Sequence, residues 1–206
     1  MKKVNFTLTI VCILGVIICH GQPDNIKNTT DTTRTEIGIT AGIYNNNIFR
    51  FTELRKTSKF DDGPGIQYGL NFMLPMDTHL SMGFGLHYIK TKNKYHSLIL
   101  QPDTPETYTH YTELIYLPVR FRYELTKWLF LQGGLSISIE LQNENNLNQN
   151  GMGVLGGATI HYSPFRNLNF GIEPELHLTS LFPVPQEFYH HHFFLAGVNT
   201  RVAWYF

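Results

Sequence analysis

Alternating apolar and polar positions recur along most of this chain, and they are clearest in its last fifteen residues. From His192 to Phe206, every second side chain belongs to a largely apolar row, whereas Asn199 and Arg201 belong to the opposite row. Successive side chains of a β-strand point to opposite faces of the sheet, so a period of two residues indicates a strand. The stretch therefore predicts a long strand that ends the chain on an aromatic residue.

Seven upstream segments show the same alternation, which brings the number of predicted strands to eight. These segments lie at 36–44, 66–74, 80–88, 115–124, 129–141, 154–162 and 168–178. The connections between successive strands alternate between long and short. Long polar loops are predicted at about 45–64, 92–108, 142–153 and 179–191, and tight turns at 75–78, 125–127 and 164–167.

The charged residues decide which medium each face of the strands contacts. Six charges share the less apolar face, namely Arg120, Arg122, Glu140, Glu173, Glu175 and Arg201. In water the fold would have to bury these charges, at a cost of several kcal/mol each unless they pair, or else expose eight apolar rows. Lipid outside and a polar interior satisfy both faces. The pattern predicts an all-β, eight-stranded antiparallel up-and-down transmembrane β-barrel, with long outer loops and short periplasmic turns.

The amino-terminal residues predict export. A basic start, a short apolar run and small residues follow one another, which is the order found in a secretory signal peptide. We assign 1–21 to this signal, 22–34 to a flexible periplasmic leader and 35–206 to the barrel domain. The alternatives are a retained anchor, although the apolar run is shorter than the ~20 residues of a spanning helix, and a lipoprotein signal at Cys19.

Charge and cysteine content exclude several functional classes. The 16 Lys and Arg residues balance the 16 Asp and Glu residues, and loss of the signal leaves a slight acidic excess, so nothing indicates nucleic-acid binding. Both cysteines lie in the predicted signal, which excludes a disulfide scaffold and thiolate zinc sites. His190, His191 and His192 offer imidazoles that suit a transition metal, but a solvated loop is the favoured interpretation. We expect neither cofactor nor metal.

Three features resemble the outer-membrane β-barrel family of Bacteroidetes that includes PorT-like proteins. They are the segment Tyr116-Leu117-Pro118-Val119-Arg120-Phe121, the cleavage site before Gln22 and the ending Trp204-Tyr205-Phe206. The resemblance covers the whole mature chain. It implies an outer-membrane location in a Gram-negative envelope, and it implies that Trp204, Tyr205 and Phe206 form a signal read by the barrel-assembly machinery. It implies less about activity, because the family is functionally mixed.

The interior of an eight-stranded barrel is just wide enough for side chains to fill it. We therefore expect a plugged lumen, in which Arg120, Arg122 and Arg201 pair with the three glutamates across adjacent strands. A catalytic role for Glu173 and Glu175 is the sharper alternative, since the two carboxylates share a face about 7 Å apart, but the nearby arginines favour structural pairing.

The predicted function is that of a small, non-enzymatic barrel in contact with membrane lipid. Its four long loops would serve structural roles or bind a ligand or partner protein. The alternatives are a barrel-embedded enzyme that processes lipids or peptides at the outer rim, with His87 and His110 as the nearest candidates, a narrow channel, and a soluble lipocalin-like carrier.

Overall fold

The computed structural model describes residues 34–49, 58–61, 63–97, 107–143, 148–184 and 192–206. Nine strands form in this part of the chain: β1 (Glu36–Phe49), β2 (Ser58–Asp61), β3 (Gly63–Pro75), β4 (Leu80–Ser97), β5 (Thr107–Thr126), β6 (Leu129–Asn143), β7 (Gly151–Phe165), β8 (Leu168–Pro183) and β9 (His192–Tyr205). No helix in the described ranges is long and apolar enough to cross a bilayer.

The strands close into a ring in which all neighbours are antiparallel. The order is β3-β1-β9-β8-β7-β6-β5-β4, and pairing of β4 with β3 completes the circle. The short β2 pairs only with the end of β4, from Lys94 to Ser97, and β3 pairs with the part of β4 that precedes it. Because β2 extends the line of β3, the ring has eight positions. The predicted eight-stranded antiparallel barrel is confirmed.

Three tight turns lie at one end of the barrel, which we call the short-turn end; the opposite end is the long-loop end. In the β3–β4 turn, the backbone nitrogens of Met76 and Asp77 both donate to the carbonyl oxygen of Leu80, at 2.9 and 3.0 Å. The amide of Leu129 donates to the hydroxyl of Thr126 in the β5–β6 turn (3.1 Å). These turns fix the register of each hairpin.

Most strands continue further toward the long-loop end than the alternation predicted. The loop expected at 45–64 is shortened because β1 continues to Phe49, and the loop expected at 92–108 is shortened because β4 continues to Ser97. Backbone pairing persists here although the outward positions become polar, as at Lys92. The alternation of apolar and polar residues stops where the outer surface becomes polar, but the strands remain paired beyond that point.

Two prolines interrupt the ladder locally. Pairing of β4 with β5 is interrupted between Phe84–Val119 and His87–Tyr116, next to Pro118. The β7–β8 pairing is likewise interrupted near Pro174. Proline has no N–H to donate, so a missing ladder bond is expected at these positions. Both prolines keep their register with the strand on the other side.

The two faces of the wall differ as the sequence predicts. The exterior exposes large apolar side chains all round the ring, including Ile39 at 60 % and Leu135 at 52 % exposure. The interior buries Arg120, Glu173 and Arg201 at 1–3 % exposure. The barrel thus reverses the usual distribution of a water-soluble protein, in which charged residues are almost never buried.

Candidate functional site

The charged residues of the interior form the most distinctive site of the barrel. Five of the six charges singled out in the sequence are buried there, namely Arg120, Arg122, Glu173, Glu175 and Arg201. Glu140 is only partly buried and lies near the end of β6, where one of its carboxylate oxygens accepts a hydrogen bond from the backbone nitrogen of Gln149 (3.0 Å). A further carboxylate, Glu36, completes the buried set.

Glu36 is the centre of a charge cluster near the short-turn end. Its two oxygens accept from Arg122 Nη2 at 2.8 Å and from Arg201 Nη1 at 2.5 Å. Arg201 also lies against Glu173, with 3.1 Å between Nε and Oε1, although this N–H is not aimed at the oxygen. Arg201 contacts Glu173 across the adjacent strands β8 and β9, whereas Arg122 pairs with Glu36, which lies on a strand that is not adjacent to β5.

A second cluster lies one inward position closer to the long-loop end. Arg120 Nη1 is 3.5 Å from Glu175 Oε2. The other oxygen of Glu175 accepts from the hydroxyls of Tyr44 at 3.2 Å and Tyr116 at 3.3 Å. Asn199 donates in turn to the Tyr44 hydroxyl (2.6 Å). Glu175 is therefore held by one cation and two hydroxyls, which satisfies a buried carboxylate.

His87 occupies the same level and is enclosed by amide and hydroxyl groups. Gln67 Nε2 lies 2.7 Å from His87 Nδ1, and Asn71 Oδ1 lies 2.8 Å from His87 Nε2. These contacts fit a neutral ring that accepts at Nδ1 and donates at Nε2. Tyr116 stacks at a tilt on the ring, with centroids 4.7 Å apart. His87 thus forms part of the interior packing and does not lie at an open rim.

Apolar side chains fill the interior above these clusters, toward the long-loop end. The buried group comprises Tyr44, Ile89, Leu114, Tyr116, Leu155, Phe193 and Leu195. The sequence predicted a polar interior, whereas this middle layer is apolar. Buried polar side chains return nearer the long-loop end, where Asn46 donates to Asn93 (3.0 Å) and Thr179 donates to Gln149 (2.7 Å). The apolar residues thus form one layer directly past the charge clusters, and this layer needs no hydrogen-bond partners.

Contacts across the lumen connect distant walls. Arg122 of β5 reaches Glu36 of β1, and Arg120 of β5 reaches Glu175 of β8. Each pair of strands is three positions apart in the eight-position ring. The buried set contains three arginines and three glutamates, so its formal charge is zero. The interior therefore carries no net charge that would attract a permeating ion.

Glu36 was missed by the sequence reasoning, although a signal for it exists. It shares the strand face of Gly38 and Thr40, which the alternation assigns to the interior. Its position at the very start of β1 concealed this, because a charge at a strand end is usually solvated. Only the closed ring brings it between two arginines.

The residues considered for catalysis or metal binding have structural partners or lie outside the described side chains. Glu173 accepts from the hydroxyl of Thr159 (3.3 Å) and contacts Arg201. His192 is buried, with Nδ1 3.0 Å from the carbonyl oxygen of Ser180. The side chain of His110 and residues 190–191 lie outside what the structure describes. Among the described residues, no group of His, Cys, Asp and Glu is arranged to hold a metal ion.

No protein-family model matches this sequence, and no curated protein sequence matches it either. The fold is similar to that of the outer membrane protein OprG from Pseudomonas aeruginosa, at 11 % identity and a TM-score of 0.49, covering 84 % of this chain and 96 % of that one. It is similar to the translocator domain of autotransporter NalP from Neisseria meningitidis, at 8 % identity and a TM-score of 0.38, covering 98 % of each chain. It is also similar to Ail of Yersinia pestis, at 12 % identity and a TM-score of 0.36, covering 82 % and 97 %. Identities this low transfer no activity.

The last three residues lie at the short-turn end, beside the seam between β9 and β1. Trp204 and Phe206 are exposed at 47 % and 68 %, whereas Tyr205 is partly buried and accepts from Asn169 Nδ2 (3.0 Å). The backbone nitrogen of Phe206 donates to the carbonyl oxygen of Thr35 (2.9 Å). An exposed aromatic pair at this level is typical of the girdle that barrels present to the membrane interface.

Proposed function

We propose that this protein is a small, non-enzymatic β-barrel of the Gram-negative outer membrane, with a plugged interior and outer loops that serve structural or binding roles. The observation that carries the proposal is the reversal of polarity between the two faces of one closed wall. Such an exterior far exceeds the apolar patches that soluble monomers expose. Contact with acyl chains removes this penalty, and the interior charges then find partners across the lumen.

The interior argues against a channel. Arg120 and Arg122 bridge opposite walls at successive levels, and Phe193 and Leu195 fill the lumen nearer the long-loop end. An ion would have to break a buried ion pair and then cross an apolar layer, each of which is costly. This barrel is therefore expected to be closed to solutes.

The same contacts argue against an enzyme inside the barrel. A general acid or base needs access to a substrate, whereas Glu173, Glu175 and His87 are buried at 1 % exposure and hydrogen-bonded to neighbouring side chains. The remaining place for chemistry is the outer rim, which stays the alternative location for a lipid- or peptide-processing activity.

Export and assembly complete the proposal. The signal at 1–21 would direct the chain across the inner membrane, and the exposed Trp204 and Phe206 would present the terminal signal to the barrel-assembly machinery. Membership of the PorT-like family of Bacteroidetes is part of the same proposal, on the motif around Pro118.

Fractionation with and without denaturant tests the proposal. Expressed with its own amino terminus, the protein should remain in the outer-membrane fraction after urea extraction and should migrate faster on a gel when unboiled than when boiled. Recovery in the soluble fraction without detergent would refute the membrane assignment and favour the lipocalin-like carrier. In planar bilayers the purified protein should give no stepwise conductance, and regular steps would refute the closed lumen.

A further inference from the structure

The outside of the barrel carries a groove at the level where the apolar surface ends. It has a volume of about 630 Å³ and lies across β9, β1, β3 and β4, with Tyr111 of β5 at its edge. Its outward lining includes Ile43, Ile66, Ala196 and Val198.

Two lysines form the edge of this groove on β4, level with its apolar lining on β3, β1 and β9. Lys90 and Lys92 follow one another on the outward face of β4, and both ammonium groups lie over the ring of Tyr111, at 5.5 and 6.0 Å from its centroid. Among the described residues, Lys90 pairs with Glu113 at 2.7 Å and no carboxylate pairs with Lys92, so the described part of this edge carries a net positive charge. Lys94 continues the row but lies opposite Asp61 in the register.

A second groove of about 550 Å³ continues along the same strands toward the middle of the wall. Its lining includes Ala41, Tyr68, Leu86, Tyr88 and Thr200. On each strand, these residues lie at least two positions further from the long-loop end than the residues that line the first groove. We call the two grooves together the furrow. From Lys92 to Leu86 the furrow extends about 20 Å along the strand, or about 15 Å along the membrane normal at a tilt of ~40°.

A length of about 15 Å equals half of the ~30 Å hydrocarbon thickness of a bilayer. The furrow thus has the length of one leaflet, an apolar body and a cationic edge at headgroup height. In the described part of the edge, a free phosphate would contact the two ammonium groups, whereas a lipid would occupy the body of the furrow as well. In a zwitterionic phospholipid the headgroup's own cation balances the phosphate, whereas a phosphomonoester carries a net negative charge that complements the two lysines.

We propose that the furrow is a binding site for a lipid whose phosphate headgroup carries a net negative charge, in the leaflet at the long-loop end, with its phosphate on Lys90 and Lys92 and an acyl chain in the second groove. The proposal rests on the membrane location argued above. Glu113 competes with the phosphate for Lys90 and therefore weakens the site.

Native mass spectrometry of the full mature chain in detergent tests the site. Phosphatidic acid, phosphatidylcholine with the same acyl chains, and inorganic phosphate are titrated separately. Phosphatidic acid should bind more tightly than phosphatidylcholine, and inorganic phosphate should not bind. The double substitution Lys90→Gln and Lys92→Gln should lower the affinity for phosphatidic acid about thirty-fold, because each lysine near an anionic lipid raises the affinity roughly fivefold. Glu113→Gln should raise the affinity for phosphatidic acid, because Glu113 no longer competes for Lys90.

Matched controls separate the furrow from general charge. Lys127→Gln with Arg166→Gln removes two exposed cations at the short-turn end and should leave binding unchanged. Ala41→Phe fills the second groove without changing charge and should also weaken phosphatidic acid binding. The proposal would be overturned if the control with Lys127→Gln and Arg166→Gln lost as much affinity as the Lys90 and Lys92 double variant. It would also be overturned if that double variant kept the wild-type affinity. Unaltered affinity in Ala41→Phe would overturn the acyl-chain part of it.

Each variant is first checked for heat-modifiable migration, and Lys92→Gln alone replaces any double variant that does not fold. The two proposals fail in different ways. A wild-type barrel that inserts but binds both lipids equally refutes only the lipid site. A protein that needs no detergent refutes the membrane location.

Discussion

Replacing Arg201 with Met tests the charge network most directly. Arg201 is 3 % exposed and contacts two carboxylates, Glu36 and Glu173. Methionine keeps much of the volume but removes the charge, so the buried set changes from three cations and three anions to two and three. Glu36 retains Arg122, whereas Glu173 keeps only the hydroxyl of Thr159.

The expected magnitude follows from the geometry. Removing one partner of a buried ion pair costs about 3–5 kcal/mol, because the remaining charge is left uncompensated. We expect Arg201→Met to lower the free energy of unfolding by about 3 kcal/mol, the lower end of this range, because Glu36 keeps its second arginine. Adding Glu173→Gln restores formal neutrality and should recover part of the loss.

Reversible urea unfolding in lipid vesicles measures this free energy, with Trp128 and Trp204 as fluorescent reporters. Arg166→Met is the matched control, since Arg166 is exposed in the β7–β8 turn and its loss should change stability by less than about 0.5 kcal/mol. An unfolding midpoint for Arg201→Met equal to that of the wild type would refute the network. A double variant less stable than Arg201→Met would refute the neutrality argument.

Three further substitutions probe the wall and its end. Leu135→Arg places a charge on the lipid-facing exterior and should reduce the free energy of folding into vesicles by ~2–4 kcal/mol. Leu125→Arg, at the short-turn end, should not have this effect. Equal folding of both variants would contradict the assignment of Leu135 to the lipid-facing side. A Cβ on Gly134 would overlap the backbone oxygen of Val119, so Gly134→Val should disrupt the β5–β6 pairing and lower the urea midpoint. An unchanged midpoint would count against this close approach. Deleting Phe206 should reduce the heat-modifiable species in cells but not in refolded protein, and equal loss in both would indicate a structural and not a signalling role.

The alternation of the sequence predicted the ring because a membrane barrel repeats one simple rule at every strand. Each outward position contacts lipid, so apolar residues recur with period two, and the tight turns separate the segments. The strand ends were less predictable. At Lys92 and Tyr111 the outward surface is already polar, yet hydrogen bonding between strands continues. Amphipathicity reports the medium outside the wall, and it does not report the pairing within it.

The membership of the interior site was predictable from strand parity, but its pairing was not. Parity placed Arg120, Arg122 and Arg201 inside, and adjacency suggested partners on neighbouring strands. Only Arg201 follows that rule with Glu173. The arginine side chain is long enough to cross a narrow lumen, so Arg122 finds Glu36 on a distant strand. Such contacts depend on the relative height and tilt of the strands, which the sequence does not contain.

The position of Glu36 links closure of the barrel to neutralisation of its charges. Glu36 begins β1, and Arg201 belongs to β9, the strand that pairs with β1 to seal the ring. Before this seam forms, Arg201 has no contact with Glu36. The pair of Arg122 and Glu36, which spans the lumen, is likewise not yet enclosed by the barrel wall. Each ion therefore has its full set of partners only in the closed barrel. An open sheet in lipid would leave buried charges uncompensated, which costs several kcal/mol for each, so the network favours the complete eight-position ring over partially closed forms.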